Sequence, residues 1–358
     1  MRRLSLCALL LLVPASLTAQ AVHGKLTVAG GAPIAGAIVT LVDSGGTVVA
    51  RVLSTPLGSY ALATRLTGTF TLRVLRVGFP AWSSRPFTFG VGGIGEVNAE
   101  LPEDAIVLSE IDVAGSGSCQ VGAEEGSATA TLLEEVVKAL GSAELALKDR
   151  EYAFQMVSLT EQFKESGLKM KSDSLVRLLY TWPFLSLPAL KLRDGGFVQR
   201  PSATGIDMPL DGSDAYYWFS PEASTLLAPP FLETHCFRVV TDRKDSTRVG
   251  LSFAPARGRR MADITGTLWV DRRTLGVHSL DYEYVNVPGG FPRKGARGGM
   301  EFLRLPDGLW ILSRWTIRAP LEGGRSIELT QWMEQTSHIR EIRRIDGELV
   351  YLAPPRTH

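Results

Sequence analysis

Residues 264–287 read ITGTLWVDRRTLGVHSLDYEYVNV, and this stretch indicates how the larger part of the chain folds. Polar residues separate Leu280, Tyr282 and Tyr284, and a similar alternation precedes the short polar segment 271–274. Alternation with a period of two is typical of a half-buried β-strand. Since residues 271–274 have the composition of a turn, the stretch predicts a hairpin of two antiparallel strands.

Further segments of this kind lie on both sides of the hairpin and predict a large antiparallel sheet. They are residues 151–163, 235–240, 248–256, 298–308, 309–320 and 326–342. Short turns join most of them, which is typical of a meander of seven to nine strands. One side of the sheet is apolar and aromatic, whereas the other carries Arg, Glu and Asp. We therefore predict a mainly β (α+β) chain with a twisted sheet or half-barrel and a few helices over residues 127–358.

Aromatic residues on and beside these strands are candidates for a face that binds a ligand or a protein partner. The candidates are Trp218, Trp269, Tyr282, Tyr284 and Trp315. Large aromatic side chains with a polar edge are common in binding sites, but they are also common in cores. The sequence leaves both interpretations open.

The segment 165–232 differs from the strands because it is rich in Pro, Gly and aromatic residues. It predicts loops and short helices, including one over residues 220–227 with Pro221 in its first turn. A loop region of this length in a compact domain is usually functional. We expect it to cover one face of the sheet.

A linker and a helix are predicted before the sheet. Residues 115–126 are rich in Gly and Ser and predict the linker, and residues 106–115 before it predict one more strand. Thr131 and Glu134 have the spacing of a capping box, and apolar residues follow at helical intervals. We expect this amphipathic helix to pack on the sheet.

The N-terminal part, residues 22–114, consists of short strand-like segments separated by turn residues. Large apolar residues occupy every second position, for example at Phe70, Leu72 and Val74. Short strands at close and regular intervals predict a small β-sandwich.

The same part resembles the carboxypeptidase regulatory-like domain in its glycines, its proline and its apolar positions. The matching residues are Gly24, Gly31, Pro33, Ala35, Gly36, Ala37, Val39, Leu41, Gly45, Gly46, Gly58, Ser59, Tyr60, Leu62, Gly68, Phe70, Leu72, Val74, Gly78 and Phe79. One departure is Leu57, where the family usually has an aspartate before the glycine. The resemblance implies a prealbumin-like fold of the carbohydrate-binding-like class. In that family the domain is an appendage, so the resemblance does not imply a peptidase.

The second part is similar to the periplasmic lipoprotein carriers at Gly266, Leu268, Trp269 and Asp271. This resemblance implies a half-barrel that encloses an apolar cavity. The chain as a whole resembles secreted bacterial proteins that carry a regulatory-like domain.

The first residues of the chain predict secretion. Arg2 and Arg3 precede an apolar stretch that ends at Pro14, and residues 19–21 fit the small-x-small rule of signal-peptide cleavage. We interpret residues 1–21 as a signal peptide, with cleavage after residue 19 or 20 as alternatives. The mature chain is then expected in the periplasm or at the outer-membrane surface.

Loss of Cys7 with the signal peptide leaves two cysteines, Cys119 and Cys236. Two cysteines in an oxidising compartment predict one disulfide between them. The alternative is a pair of unpaired thiols.

Composition and motifs argue against several classes of function. A net charge of +1 gives no general attraction to nucleic acid, and no later stretch is long and apolar enough for a transmembrane helix. The five histidines are not spaced as metal ligands, and neither an HExxH nor a GxSxG motif occurs. We therefore predict a protein with no enzymatic activity, no cofactor and no metal.

Together these features predict a secreted envelope protein that binds an apolar ligand, such as a lipid, or an envelope protein partner on a curved sheet. The alternative is a carbohydrate-binding or surface-adhesion module that acts through the first domain and binds a glycan.

Overall fold

The computed structural model describes residues 20–102, 123–148, 152–180, 186–200, 216–226, 228–289, 291–292, 294–305, 310–321, 331–344 and 349–353. These residues form several sheets and few helices, so the chain is mainly β as predicted. None of these sheets closes into a barrel. The signal peptide up to residue 19, the strand predicted at 106–115 and Cys119 lie outside the described residues.

Nine short strands form the first domain. They are β1 (Gln20–Val28), β2 (Ile38–Asp43), β3 (Val48–Leu53), β4 (Ser59–Thr64), β5 (Gly68–Leu75), β6 (Trp82–Ser83), β7 (Phe87–Phe89), β8 (Ile94–Glu96) and β9 (Ala99–Leu101). One sheet has the order β4-β1-β8 with β9 also paired to β1, and the other has the order β3-β2-β5-β6 with β7 paired to β5. Alternating apolar residues such as Leu41, Leu62 and Leu72 fill a common core, which confirms the predicted β-sandwich.

Two glycines of the first domain allow close backbone contacts around Tyr60. The Tyr60 hydroxyl donates a hydrogen bond of 2.5 Å to the carbonyl oxygen of Val97. A Cβ atom at Gly24, the strand neighbour of Tyr60, would lie 1.9 Å from that same oxygen. Gly58 has a φ of +76°, and a Cβ atom there would lie 2.4 Å from the carbonyl oxygen of Leu26. Both positions therefore require glycine.

Helix α1 (Ala123–Lys148) follows the first domain and contacts strands of both domains. Leu132, Val136 and Leu140 recur at helical spacing and are buried. The helix starts at Ala123 and not at Thr131, so the predicted capping box was wrong. Thr131 lies inside the helix because alanine and glutamate before it favour helical backbone.

The second domain contains a sheet of ten strands in the order β11-β10-β20-β19-β18-β17-β16-β15-β14, with β21 also paired to β20. The strands of this domain are β10 (Tyr152–Phe163), β11 (Lys169–Leu179), β12 (Val198–Gln199), β13 (Tyr217–Trp218), β14 (His235–Thr241), β15 (Arg248–Pro255), β16 (Asp263–Asp271), β17 (Val277–Val285), β18 (Arg297–Arg304), β19 (Trp310–Pro320), β20 (Trp332–Arg344) and β21 (Leu349–Leu352). Strands β12 and β13 form a separate pair. The segments predicted from the sequence account for all strands of the large sheet except β11 and β21.

Strand β11 lies where the sequence predicts loops, and that prediction was wrong for residues 169–179. The strand pairs with β10 along its length. It is an edge strand whose side chains are exposed, including Met170, Leu175 and Val176. An edge strand with no buried face carries no alternation of apolar and polar residues, so it lacks the usual sequence signal.

The two faces of the large sheet have different surroundings. Side chains such as Leu251, Leu268 and Leu280 are buried in the core on one face. Helix α1 packs against several strands there, together with the described residues between 186 and 234, which we call the cover. The cover includes α2 (Ala189–Gly195), α3 (Ala223–Leu226) and α4 (Pro229–Leu232). Among the described residues, no helix is long and apolar enough to cross a membrane.

A buried ion pair on α1 joins this helix to the first domain. Glu135 and Lys138 have side chains that are 0% and 1% exposed, and their charged atoms lie 2.5 Å apart. The Glu135 carboxylate accepts a hydrogen bond of 2.6 Å from the backbone N–H of Gly78. Lys138 donates one of 2.9 Å to the carbonyl oxygen of Phe79. We call these four residues the domain junction.

Candidate functional site

A cavity of about 720 Å³ lies between the large sheet and the cover. Strands β10, β11, β19 and β20 supply its floor, which includes Met156 and Trp315. The cover supplies its roof, which includes Leu187, Trp218 and Phe219. The cavity is therefore lined from two separate layers of the domain, by apolar and aromatic side chains and by serine, threonine, glutamine and charged side chains.

Small residues replace large ones along one row of paired residues in the sheet below the cavity. Leu280, Met300 and Trp315 are successive neighbours in this row on β17, β18 and β19. The row continues with Ser337 on β20 and Ser158 on β10. The two serine hydroxyl groups hydrogen-bond to each other over 2.9 Å. The short side chains leave space above the sheet, and their polar atoms satisfy one another.

Hydrogen bonds within the cover hold the roof together. The Ser186 hydroxyl donates a hydrogen bond of 2.5 Å to the carbonyl oxygen of Ser220, and the Ser186 N–H donates one of 2.8 Å to Glu222 Oε1. Strands β12 and β13 pair Val198 with Trp218. The roof is thus built from paired backbone segments and not from a loop without internal contacts.

Two tyrosines connect the sheet to this roof. The Tyr284 hydroxyl donates a hydrogen bond of 3.0 Å to the carbonyl oxygen of Phe219, and the Tyr282 hydroxyl is hydrogen-bonded to the hydroxyl of Ser220. The ring of Trp218 contacts the ring of Tyr284 edge-to-face at 5.0 Å. Burial raises the pKa of Tyr282 to about 12 and also raises the pKa of Tyr284. Both phenols are therefore neutral hydrogen-bonding groups near pH 7.

Tyr282 fits into the sheet because a glycine lies beside it on each neighbouring strand. Its cross-strand partners are Gly266 on β16 and Gly298 on β18. A Cβ atom at Gly298 would lie 2.1 Å from the Tyr282 hydroxyl oxygen, and one at Gly266 would lie 2.9 Å from the Tyr282 Cβ atom. The two glycines leave room for the tyrosine ring and so help to place its hydroxyl under the cover.

The structure places four of the five candidate aromatic residues together. Trp218 and Trp315 line the cavity. Tyr282 and Tyr284 are buried beside it and hold its roof. Trp269 lies on the opposite face of the sheet, where its indole N–H donates a hydrogen bond of 3.2 Å to Asp281.

Ser158 and Ser337 are among the floor residues that the sequence did not identify as candidates. A serine in a strand gives no direct sign of a cavity. One signal was available, because Ser158 has the same parity as the buried residues Phe154 and Met156 on β10. A small polar residue at a core-facing position indicates either a hydrogen-bonded pair or an unfilled space.

A second cavity, of about 650 Å³, lies on the opposite face of the sheet. Its lining carries charges of both signs, and some of them form ion pairs. Arg318 lies 3.4 Å from Glu334, and Arg314 lies 3.8 Å from Glu301. This groove is open and charged, so it suits polar groups rather than an apolar ligand.

A buried polar network lies at the other edge of the large sheet. His235 Nε2 is 3.0 Å from Asp263 Oδ1, and His235 Nδ1 is 3.0 Å from the carbonyl oxygen of Phe231. Arg259 forms an ion pair with the second oxygen of Asp263 and donates a hydrogen bond of 3.0 Å to the carbonyl oxygen of Arg193. The network connects the sheet to the cover.

Neither this network nor the cavity has the arrangement of a catalytic site. The imidazole of His235 is stacked on Phe231, with ring centroids 3.7 Å apart, and its side chain is 1% exposed, so it cannot meet a substrate without rearrangement. The charged side chains that line the cavity are Asp173 and Arg177. Over the described ranges, no group of three or more His, Cys, Asp or Glu residues could hold a metal ion.

Cys236 lies on the edge strand β14, next to His235 and partly buried. Its predicted partner, Cys119, is outside the described residues. The disulfide between them therefore stays a prediction.

Residues 21–102 match the model of the carboxypeptidase regulatory-like domain, which confirms the resemblance seen in the glycine spacing. No curated protein shows significant similarity to the chain.

Two solved structures that match the chain are remotely similar to it. The crystal structure of a 9R-lipoxygenase from Cyanothece PCC8801 is 11% identical, with a TM-score of 0.20, over 91% of this chain and 43% of the lipoxygenase. The chain thus spans less than half of that protein. BcpA, the major pilin subunit of Bacillus cereus, is 9% identical, with a TM-score of 0.22, over 94% of this chain and 93% of the pilin. Both TM-scores are too low to indicate a shared fold.

Proposed function

We propose that this chain is a non-enzymatic protein of the cell envelope that binds an apolar ligand between the large sheet and the cover. One observation carries the proposal, the cavity of about 720 Å³ that lies above Ser158 and Ser337. Ligand sites are typically concave, about 300–1,000 Å³ in volume, and mostly apolar with a few polar groups. The volume of this cavity lies in that range, and its lining combines apolar and aromatic residues with serine, threonine, glutamine and two charged residues.

The packing around the cavity supports binding over a purely structural role. A core normally fills its space to a high density, and every unfilled methyl-sized volume costs stability. The row that carries Leu280 and Met300 could have continued with leucine at Ser337. The serines and the roof aromatics together keep open a space that close packing would remove.

Native mass spectrometry tests the proposal directly. The mature protein, produced with secretion and purified without detergent, is expected to release an apolar molecule on denaturation. The variant Ser337→Leu fills the cavity floor and is expected to lose that molecule, while loss of the hydrogen bond to Ser158 lowers the free energy of unfolding by about 1–3 kcal/mol. Ser252→Leu, on the opposite face of the sheet, is the matched control and should retain it.

Two outcomes would argue against the proposal. A protein that is empty after mild purification and takes up no apolar probe would point to a protein partner on this face instead. Equal ligand loss in Ser337→Leu and Ser252→Leu would place the ligand elsewhere in the molecule.

Secretion and the disulfide belong to the same proposal. A Cys119–Cys236 bond would close a long loop, for which chain-entropy models give about 4–5 kcal/mol of stabilisation. It would fasten the linker to β14, at the edge of the sheet away from the cavity. Intact mass with and without reductant shows whether two hydrogens are missing from the secreted protein, and a fully reduced chain would exclude the bond. Glycan binding by the first domain stays a prediction from the resemblance.

A further inference from the structure

The two charged residues that line the cavity differ in whether they have an ion-pair partner. Asp173 and Arg177 both lie on the edge strand β11 and both line the cavity. The Asp173 carboxylate is 2.7 Å from the ammonium group of Lys171. The guanidinium group of Arg177 has no ion pair or hydrogen bond within the part of the chain that the structure describes. The cavity therefore has one cation available for an incoming group.

The apolar floor begins directly beside this cation. Arg177 is the cross-strand partner of Met156 on β10, and Leu175 is the next residue of β11 that lines the cavity. From there the floor continues past Ser158 and Ser337 to Trp315 on β19. A molecule with a charged head at Arg177 would thus lay its body along apolar side chains.

We propose that the cavity takes a free fatty acid, with its carboxylate at Arg177 and its alkyl chain over Met156 and Trp315. This inference rests on the proposed function and specifies the ligand for the same site. A guanidinium group pairs well with a carboxylate because two N–H groups can donate in parallel. Asp173 lines the same cavity, so a second negative charge on the ligand would be repelled, and a monoanion fits best.

The test compares two probes that differ only in the head group, palmitate and hexadecanol. Displacement of a fluorescent apolar dye gives the Kd of each probe for the wild type and for Arg177→Gln. We expect the wild type to bind palmitate about fivefold more tightly than Arg177→Gln does, the upper range for an exposed ion pair. Hexadecanol should bind both proteins equally. Arg177→Lys should keep much of the preference, and Arg238→Gln, an exposed arginine on β14, should keep all of it.

The outcomes separate this inference from the proposed function. If neither probe binds the wild type, the apolar cavity is not a lipid site and both fail. If both probes bind and Arg177→Gln changes neither Kd, the cavity still binds an apolar ligand, but the proposal that Arg177 binds the carboxylate is overturned. If Arg177→Gln weakens hexadecanol as much as palmitate, Arg177 acts on the fold of β11, and the charge-specific role is also overturned.

Discussion

Gly78 donates its backbone N–H to the buried carboxylate of Glu135 over 2.6 Å, across the boundary between the first domain and helix α1. Gly78 has a φ of +82°, a conformation that glycine adopts without strain. The second oxygen of Glu135 meets Lys138, which in turn donates to the carbonyl oxygen of Phe79. Gly78 and Phe79 belong to the pattern shared with regulatory-like domains, so a family feature here serves as the contact to α1.

Removal of the Glu135 carboxylate should destabilise the chain strongly. Glu135→Ala leaves the Lys138 ammonium group buried without its closest counter-charge, and breaking a buried pair typically costs about 3–5 kcal/mol. Urea unfolding of the mature protein measures this cost. Glu134→Ala is the matched control, because Glu134 also lies 3.2 Å from Lys138 but is 54% exposed. The free energy of unfolding of the control should fall by less than about 1 kcal/mol. Equal losses in the two variants would show that burial of Glu135 does not strengthen its ion pair with Lys138.

A methyl group at Gly298 should disturb the sheet below the cover, whereas one at the next residue should not. In Gly298→Ala the new Cβ atom would lie 2.1 Å from the Tyr282 hydroxyl oxygen, so the ring must move away from Ser220. Overpacking of this kind costs about 1–3 kcal/mol. In Gly299→Ala the nearest heavy atom is 3.7 Å away, and stability should change by less than about 0.5 kcal/mol. Thermal unfolding of both variants checks this, and similar midpoints would contradict the role given to Gly298.

The sequence predicts the strands of this protein well, since burial on one face produces alternation that can be read directly. Leu268 and Val270 even place Trp269 on the opposite face, because residues of unlike parity point apart in a strand. Trp269 was predicted on the same face as the other aromatic residues, although this parity separates it from them. Strand β11 was not predicted, because its side chains are exposed on both faces and therefore show no alternation of apolar and polar residues.

The candidate site is less predictable than the strands because it depends on pairings between distant residues. Ser158 and Ser337 meet only through the register of β10 and β20. His235 meets Asp263, and Glu135 meets Gly78, across turns and domains that a single sequence does not locate. Local patterns encode which face of a strand is buried, whereas the depth of a cavity depends on which strands become neighbours.

Alkaline pH should weaken the fold through the buried tyrosines. Burial raises the pKa of Tyr282 from an ordinary value of 10.0 to about 12. Because the folded state holds its proton more tightly, this contribution to stability is full below pH 10 and is lost as the pH rises toward 12. Each such group lowers the free energy of unfolding by at most about 1.4 kcal/mol per pH unit in that window.

Urea unfolding between pH 8 and pH 11 tests the role of Tyr282. Tyr282→Phe removes the titrating hydroxyl, so its stability should fall less steeply above pH 10 than that of the wild type. Tyr180→Phe removes a hydroxyl from a residue that is 65% exposed and should keep the wild-type slope. A slope unchanged in Tyr282→Phe would mean that Tyr282 ionises as readily in the folded state as in the unfolded state.

Neutralisation of Asp263 should cost more than neutralisation of an aspartate on the open face. The Asp263 side chain is 0% exposed and contacts both Arg259 and His235. Asp263→Asn leaves the Arg259 guanidinium group without a counter-charge, with an expected loss of about 3–5 kcal/mol. Asp281→Asn, beside Trp269 on the opposite face, should change stability by less than about 0.5 kcal/mol. Chemical unfolding compares them, and a small effect at Asp263 would mean that solvent reaches the network.

The hydrogen bond from Tyr284 to the carbonyl oxygen of Phe219 should control how fast a ligand leaves the cavity. Tyr284→Phe keeps the ring contact with Trp218 but removes the hydroxyl that holds the roof. Loss of one such bond costs about 1 kcal/mol, which corresponds to about a fivefold larger population of the opened cover. The dissociation rate of a bound apolar dye, followed by stopped-flow fluorescence, should therefore rise about fivefold. Trp269→Phe, on the opposite face, should leave the rate unchanged, and an unchanged rate in Tyr284→Phe would mean that the ligand leaves by a path that does not open the roof.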